Sequence, residues 1–433
     1  MAVIHSVFFN GKKENEERPI AEITAALADA RPHLHAMKAD EILALFDAFS
    51  RELSGGENAR PGRGGAHLKD LANFLKKENL GKNLDLALRG SRRYLDGFVK
   101  PEGHDFFLHA QPRGLAVEWL AGNIPFLGMY SLAEALVTKN ALIIKAPSRN
   151  YEVLRDLLEA LARVAGRKEQ WGNVMRCVSA VLVERDNTEA QEELSMAADA
   201  RMIWGGEESA RAIMALPKNF WTEDIVYGPK YSYAVISRRA KKDRMSATAA
   251  ALAADIANFD QYACSSPHTV FVEDGGAVGA EQFARLLGDA LDRVGRLLIP
   301  KGPADPAEVL RIMTARADYA AKGTVIVPSD KSTEWTVIVT DEPGFAPPAY
   351  SRTVFVKPIK DLRDLALLNS RTIQTIGFSG ADAGAGEEDF DKLDALTLHG
   401  GDRIPAPGAM SFFSSPWDGA FAMDRLVRWV RFL

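Results

Sequence analysis

From Arg113 onward the chain alternates short apolar runs with segments whose apolar residues recur every three to four positions. This alternation constrains the fold more than any other feature. Residues 115–121, 141–145, 174–183 and 201–204 read as strands, with helical patterns at 127–138, 151–164 and 188–198 between them. Strands alternating with helices imply a parallel sheet covered on both faces. Open sheets of this kind bind ligands beyond the C-terminal strand ends. A second α/β stretch opens with a strand at 233–237 and an Ala-rich helix at 244–258. A tight segment holding Cys264 follows, then strands at 269–272, 324–327, 336–339 and 353–356.

The remainder of the chain is less patterned. Residues 21–99 read as helical and carry no obvious chemistry, with a Gly/Arg/Asn-rich loop at 54–65. Residues 345–350 and 381–388 read as loops. At the C-terminus Leu426, Val427, Val430 and Leu433 fall at helical spacing. A packed terminal helix is expected there, with a membrane-surface helix as the alternative. A chain of 433 residues needs two or three domains. The expected division is a helical N-terminal region (1–105), a cofactor-binding domain (106–237) and a catalytic domain (238–400). The C-terminal segment (401–433) would return to the cofactor domain or form an oligomer interface.

Charge and cysteine content narrow the function classes. A net charge of −5 argues against a general nucleic-acid binder. Two cysteines, Cys177 and Cys264, argue against a disulfide framework and make the cytoplasm the expected compartment. Residues 1–13 lack the apolar core and cleavage site of a signal peptide, and no apolar run reaches membrane-spanning length. The eight histidines form no metal-ligand cluster with a cysteine, so no metal is expected.

Four short segments carry candidate chemistry. Residues 258–267 read NFDQYACSSP, which sets Cys264 between a helix and a strand among small and polar neighbours. A turn with free backbone N–H groups favours an accessible thiolate, and Gln261, Ser265, Ser266 and Pro267 make poor core. Cys177 lies in an apolar run and reads as a buried structural thiol. Residues 121–125, AGNIP, put Asn123 at a strand end, where its amide would donate to an oxyanion or simply shape a turn. Residues 141–150, ALIIKAPSRN, end a strand on Lys145 and continue into Ser148 and Arg149, a placement suited to phosphate or ribose. In WGGE (204–207), Gly205 and Gly206 allow a ligand to approach backbone at a helix start. No G-x-G-x-x-G follows the first strand. His268 either acts on the thiol or, as the first residue entering a strand, points away from it.

Taken in order, GNIP, IIKAPS, WGG, GPK and Q-x-x-C resemble the aldehyde dehydrogenase superfamily. More closely, they are similar to the acyl-CoA reductase family of the bacterial bioluminescence fatty acid reductase. The resemblance runs from about residue 106 to the C-terminus. It implies an aldehyde dehydrogenase-like α/β fold, a Rossmann-like cofactor domain plus an α/β catalytic domain, with a helical N-terminal extension. It also implies site roles. Cys264 matches the acyl-accepting nucleophile, and Asn123 the asparagine that holds the oxyanion. Lys145 matches the lysine on the adenosine ribose, and Gly205 and Gly206 the glycine turn beside the cofactor. Ser148 and Arg149 stand where NAD-preferring relatives often carry an acid, so Arg149 suits the 2′-phosphate of NADPH.

Two departures from the superfamily pattern bear on the reaction. VYGPK (226–230) puts Val226 where hydrolytic relatives place a glutamate base. No glutamate occurs at 350–354, where one usually steadies the nicotinamide ribose. The resemblance therefore implies NADPH-dependent reduction of an acyl-CoA or acyl carrier protein thioester to the aldehyde through an acyl-cysteine. The same chemistry run backwards, a CoA-acylating aldehyde dehydrogenase, stays open, as does a non-catalytic acyl-channelling subunit. A homo-oligomer or an acyl-transferring partner enzyme is compatible with this reading.

Overall fold

Apolar runs and helical segments alternate in three dimensions as they do along the chain. The computed structural model describes residues 2–55, 65–122, 124, 126–149, 151–302, 305–330, 332–380 and 387–433. It divides into two units. One gathers the N-terminal segment, His67–Gly228 and Phe413–Leu433, and the other holds Pro229–Phe412.

The strands of the first unit are β1 (Val3–Phe9), β2 (Lys12–Pro19), β3 (Phe107–Pro112), β4 (Leu115–Trp119), β5 (Ala141–Ala146), β6 (Val178–Leu182), β7 (Ala200–Trp204) and β8 (Glu223–Tyr227). Seven of them form one sheet in the order β2-β1-β6-β5-β4-β7-β8. From β6 to β8 every pairing is parallel. The chain steps from β4 outward to β5 and β6 on one side, then to β7 and β8 on the other. That reversal creates a switch point between β4 and β7, and the loops after β4, β5 and β7 emerge at its carboxyl edge. All five residues of β4 and of β7 are buried, as expected of central strands covered on both faces.

The N-terminal region is not wholly helical. Helices Ile20–Ala36 and Ala39–Gly55 occur as expected, but β1 and β2 precede them and extend the sheet antiparallel from β6. β2 reads KKENEERP, which carries no apolar alternation. Pairing to β1 makes it a strand, and its charges guard an exposed edge. The C-terminal helix is also corrected. Only Ala422–Arg425 is helical, and β15 (Val427–Phe432) pairs antiparallel with β3 in a two-stranded sheet.

The second unit carries β9 (Tyr231–Ile236), β10 (Pro267–Glu273), β11 (Val325–Pro328), β12 (Thr336–Val339), β13 (Thr353–Ile359) and β14 (Ile373–Ser379), in the order β11-β12-β13-β10-β9-β14. All neighbours are parallel except the edge strand β11. The chain enters this unit at Pro229, so β9 belongs to the second sheet and not to an interval ending at 237. Helices Met245–Ala257 and Ala280–Leu297 cover one face, over Val270, Val272, Val354 and Val356. Gly288 permits the second helix to approach, because a Cβ there would meet Trp335 and Val327 at 3.0 Å. Tyr233, Phe271, Leu365 and Phe378 form the core of the other face.

Candidate active site

Cys264 sits just before β10, at the amino end of that strand, and the residue is partly exposed. The Ala-rich helix delivers the chain to this point and stops at Asn258. Phe259, Asp260 and Gln261 then adopt positive φ in succession (52°, 49° and 70°). Non-glycine residues rarely do so, and a run of such residues persists only where its surroundings hold it.

A second run of the same kind holds it. Tyr350, Ser351 and Arg352 also have positive φ (57°, 52° and 62°). The Ser351 N–H donates to the Asp260 carbonyl at 3.1 Å. The buried Arg352 guanidinium forms an ion pair with the Asp260 carboxylate at 2.6 Å. The Tyr262 and Tyr350 rings stack with centroids 5.1 Å apart. Gln261 is fully buried, and its amide donates to the Pro267 carbonyl at 2.9 Å, closing the Cys264 turn on itself.

The cysteine itself is anchored from β9 and β14. The Ser232 hydroxyl donates to the Cys264 carbonyl at 2.7 Å and accepts from the Thr375 N–H at 3.1 Å. The Gln374 side-chain amide donates to Cys264 Sγ at 3.3 Å. His268 enters β10 as expected, with its ring between Tyr231 and Tyr350. Burial lowers its pKa to about 4, so it stays neutral at physiological pH. Cys177 is the opposite case, a fully buried thiol whose pKa burial pushes up to about 12.

In the first unit Lys145 lies half-buried one residue before the end of β5, while Ser148 and Arg149 follow the strand exposed. Burial lowers the Lys145 pKa, and Glu184 opposes that shift. The Lys145 ammonium donates no hydrogen bond among the described residues. Gly205 and Gly206 follow β7, and Gly206 caps the helix Glu207–Met214. Nothing lies within 4 Å of a Cβ built on Gly206, so backbone there is open to a ligand. The first-turn acids Glu207 and Glu208 pair with Arg211 and Arg185, which tempers their repulsion of a phosphate. These residues fit an adenine dinucleotide: a free ammonium, an exposed guanidinium and an uncovered glycine turn stand at one sheet edge. Asn123 lies outside the described residues. Val226 lies on β8 and presents no carboxylate.

The structure therefore keeps the predicted cysteine turn and the predicted cofactor residues each at a strand end. Sequence reading missed Gln374, Thr375 and Ser232, together with the Asp260–Arg352 lock. The available signal was IQTIGFS, in which two polar residues interrupt an apolar run. No cluster of metal ligands occurs among the described residues, and no described helix is long and apolar enough to cross a membrane.

Comparison with known proteins agrees with this architecture. The long-chain acyl-protein thioester reductase of Aliivibrio fischeri is 28% identical over 354 residues, spanning 80% of this chain and 69% of that protein. Long-chain acyl-protein thioester reductase 2 of Photobacterium leiognathi is 25% identical over 347 residues, spanning 78% and 68%. Among solved structures, a mutant of the P. syringae indole-3-acetaldehyde dehydrogenase AldA, in complex with NAD+ and IAA, superposes with a TM-score of 0.69 at 12% identity. That match covers 100% of this chain and 96% of the other, and it establishes the aldehyde dehydrogenase fold. The family model described as acyl-CoA reductase (LuxC) matches residues 34–429, and the chain belongs to that family.

Proposed function

We propose that the chain reduces an acyl thioester to the aldehyde with NADPH, carrying the acyl group on Cys264 between the two half-reactions. The observation that carries this reading is the contrast between its two thiols. Cys177 is sealed in the core, whereas Cys264 is accessible, sits on a locked turn and receives a side-chain amide at its sulfur. A nucleophile needs that combination of access and fixed position.

In the first half-reaction Cys264 Sγ attacks the thioester carbonyl. The new S–C bond replaces the carrier's, and the carrier thiol leaves with a proton. NADPH, when bound, supplies the hydride for the second half-reaction. Reduction at the thioester carbon leaves a thiohemiacetal on Cys264, which collapses to aldehyde and regenerates the thiolate. Lys145, Gly205 and Gly206 would hold the adenosine and phosphate portions, with Arg149 against a 2′-phosphate. Val226 offers water no general base, which favours reduction of the acyl-enzyme over its hydrolysis. Soluble acyl-CoA and acyl carrier protein are both candidate donors.

The test is labelled acyl-CoA and, separately, labelled acyl carrier protein, each incubated with protein in the absence of NADPH. Label should stay on the wild type and on Cys177→Ala and be absent from Cys264→Ala. Added NADPH should discharge it as aldehyde. Equal labelling of Cys264→Ala refutes the proposal.

A further inference from the structure

We propose that Gln374 is a catalytic residue that donates a hydrogen bond to the reacting sulfur, at the end of a relay that begins at Arg403. The inference rests on Cys264 being the nucleophile, and it goes beyond that reading by naming what stabilises its charge.

The orientation of the Gln374 amide follows from its neighbours. Arg403 can only donate, and its guanidinium reaches Thr375 Oγ1 at 3.4 Å. The same guanidinium is held by the carbonyls of Met410 and Phe412 at 3.2 and 2.7 Å. With a lone pair of Thr375 Oγ1 engaged, its proton goes to Gln374 Oε1 at 3.2 Å. The amide oxygen is thereby occupied, and the NH2 group faces Cys264 Sγ at 3.3 Å. Each bond polarises the next, so part of the Arg403 charge is felt at the sulfur.

The backbone is shaped for this contact. β14 pairs with β9 at Ile373↔Tyr231 and again at Ile376↔Tyr233, so one extra residue is taken up between them. Gln374 and Thr375 occupy that bulge, a device that re-aims side chains beside active sites. The Thr375 N–H, freed from regular pairing, donates to Ser232 Oγ, which in turn donates to the Cys264 carbonyl. One bulge thus fixes the cysteine backbone and serves its sulfur. Gln374 is fully buried, and a carboxamide would otherwise be a costly side chain in this strand.

A donor at Sγ favours the thiolate over the thiol. It would assist the attack on the acyl donor, and again the departure of Cys264 from the thiohemiacetal, when negative charge returns to sulfur.

The test reads the thiol directly, in a Cys177→Ala background where Cys264 is the sole cysteine. The rate of iodoacetamide alkylation is followed against pH. Gln374→Met keeps the volume and removes the donor. It should raise the pH midpoint of alkylation by one to two units, which is a tenfold to hundredfold loss of thiolate below the midpoint, the usual worth of a hydrogen bond to a charged group. Gln374→Glu should raise the midpoint further, because a carboxylate opposes the thiolate. Thr375→Val should raise it by less. A purely structural role would not order the three variants in this way. Should Gln374→Met fail to fold, Gln374→Glu and Thr375→Val carry the test. Midpoints unchanged in the folded variants overturn the proposal. The acyl-labelling experiment separates the two ideas: label on Cys264→Ala removes the nucleophile reading, and an alkylation shift would still place Gln374 at the thiol.

Discussion

One group of acidic side chains in each unit shows how the company of a carboxyl decides what its burial does. In the first, Glu118 on β4 and Glu134 on the helix Leu127–Val137 are completely enclosed, and among the described residues neither Glu118 oxygen has a hydrogen-bond partner. Ser131 Oγ and Trp204 Nε1 are buried beside Glu118 and partly oppose the rise of its pKa, and Tyr227 OH is buried near both carboxyls. In the second unit Asp260 meets the buried guanidinium of Arg352, and the pair joins two stretches of strained backbone. Burial has different consequences in the two places. Without a cation, the glutamates respond by holding their protons, and desolvation raises both pKa values to about 8. With a cation, the charge fixes the turn that presents Cys264.

The comparison breaks most visibly at Arg352. Arg352→Met removes the guanidinium that pairs with Asp260 and clasps the 259–261 turn. Loss of one member of a fully buried pair costs about 3–5 kcal/mol, and the partial exposure of Asp260 brings the expected loss to the lower end. Denaturant unfolding should show that loss, and Cys264 should lose its ordered reactivity in the variants that remain folded. Adding Asp260→Asn should recover part of the stability, because the carboxylate charge is then gone. A loss below about 1 kcal/mol would mean that the stacked Tyr262 and Tyr350 rings hold the turn unaided.

The glutamates sharpen the contrast through pH. Below pH 4.5 both folded and unfolded chains keep these protons. Between 4.5 and about 8 the folded chain keeps them and the unfolded chain releases them. Folding therefore weakens as pH rises through that window, by up to about 1.4 kcal/mol per pH unit for each carboxyl, and levels off above it. Glu118→Gln removes one of the two titrations. Its stability relative to the wild type should rise steadily between pH 5 and roughly pH 8 by that slope. Parallel pH profiles for the two proteins would show that the carboxyl is paired in solution.

Legibility in the sequence follows the range of the interactions. The strands and helices between β4 and β7 were readable because hydrophobic period is local, and the Cys264 turn was readable from its small and polar neighbours. β2 was not, since its charged residues become a strand only by pairing with β1. β15 was not, because Leu426, Val427 and Val430 satisfy a helical spacing as well as an edge strand. β8 is short, the apolar run of β14 is broken by Gln374 and Thr375, and neighbours far along the chain decide both. The site divides in the same manner. Cys264, Lys145 and the glycine pair sit at strand ends that local pattern reveals. Gln374 touches a sulfur 110 positions away, and Arg352 meets Asp260 across 92. No local pattern encodes either contact.

The smallest effect concerns the exposed charges of the first unit, where water competes with any ligand. Lys145 and Arg149 both face the carboxyl edge of β5, but burial separates their roles. Lys145 is half-enclosed, so a ribose hydroxyl bonded to it replaces water the ammonium has already partly lost. Lys145→Met should therefore weaken NADPH and NADH alike. Arg149 is exposed, and in the proposed reading it contributes only when a second charge arrives, the 2′-phosphate that NADH lacks. Arg149→Glu should weaken NADPH selectively. A charge-assisted phosphate contact contributes about 1.5–3 kcal/mol when sheltered, and solvent screening at an open site brings the expected loss to the lower end, roughly tenfold. Dissociation constants for the two cofactors, measured by fluorescence titration at low and high salt, check both statements. The NADPH selectivity of the wild type should shrink at high salt, while the bias of Arg149→Glu against NADPH, a screened repulsion, should relax. Equal affinities for NADPH and NADH in the wild type would remove the 2′-phosphate from Arg149 and leave Lys145, Gly205 and Gly206 serving a cofactor read only by its shared parts.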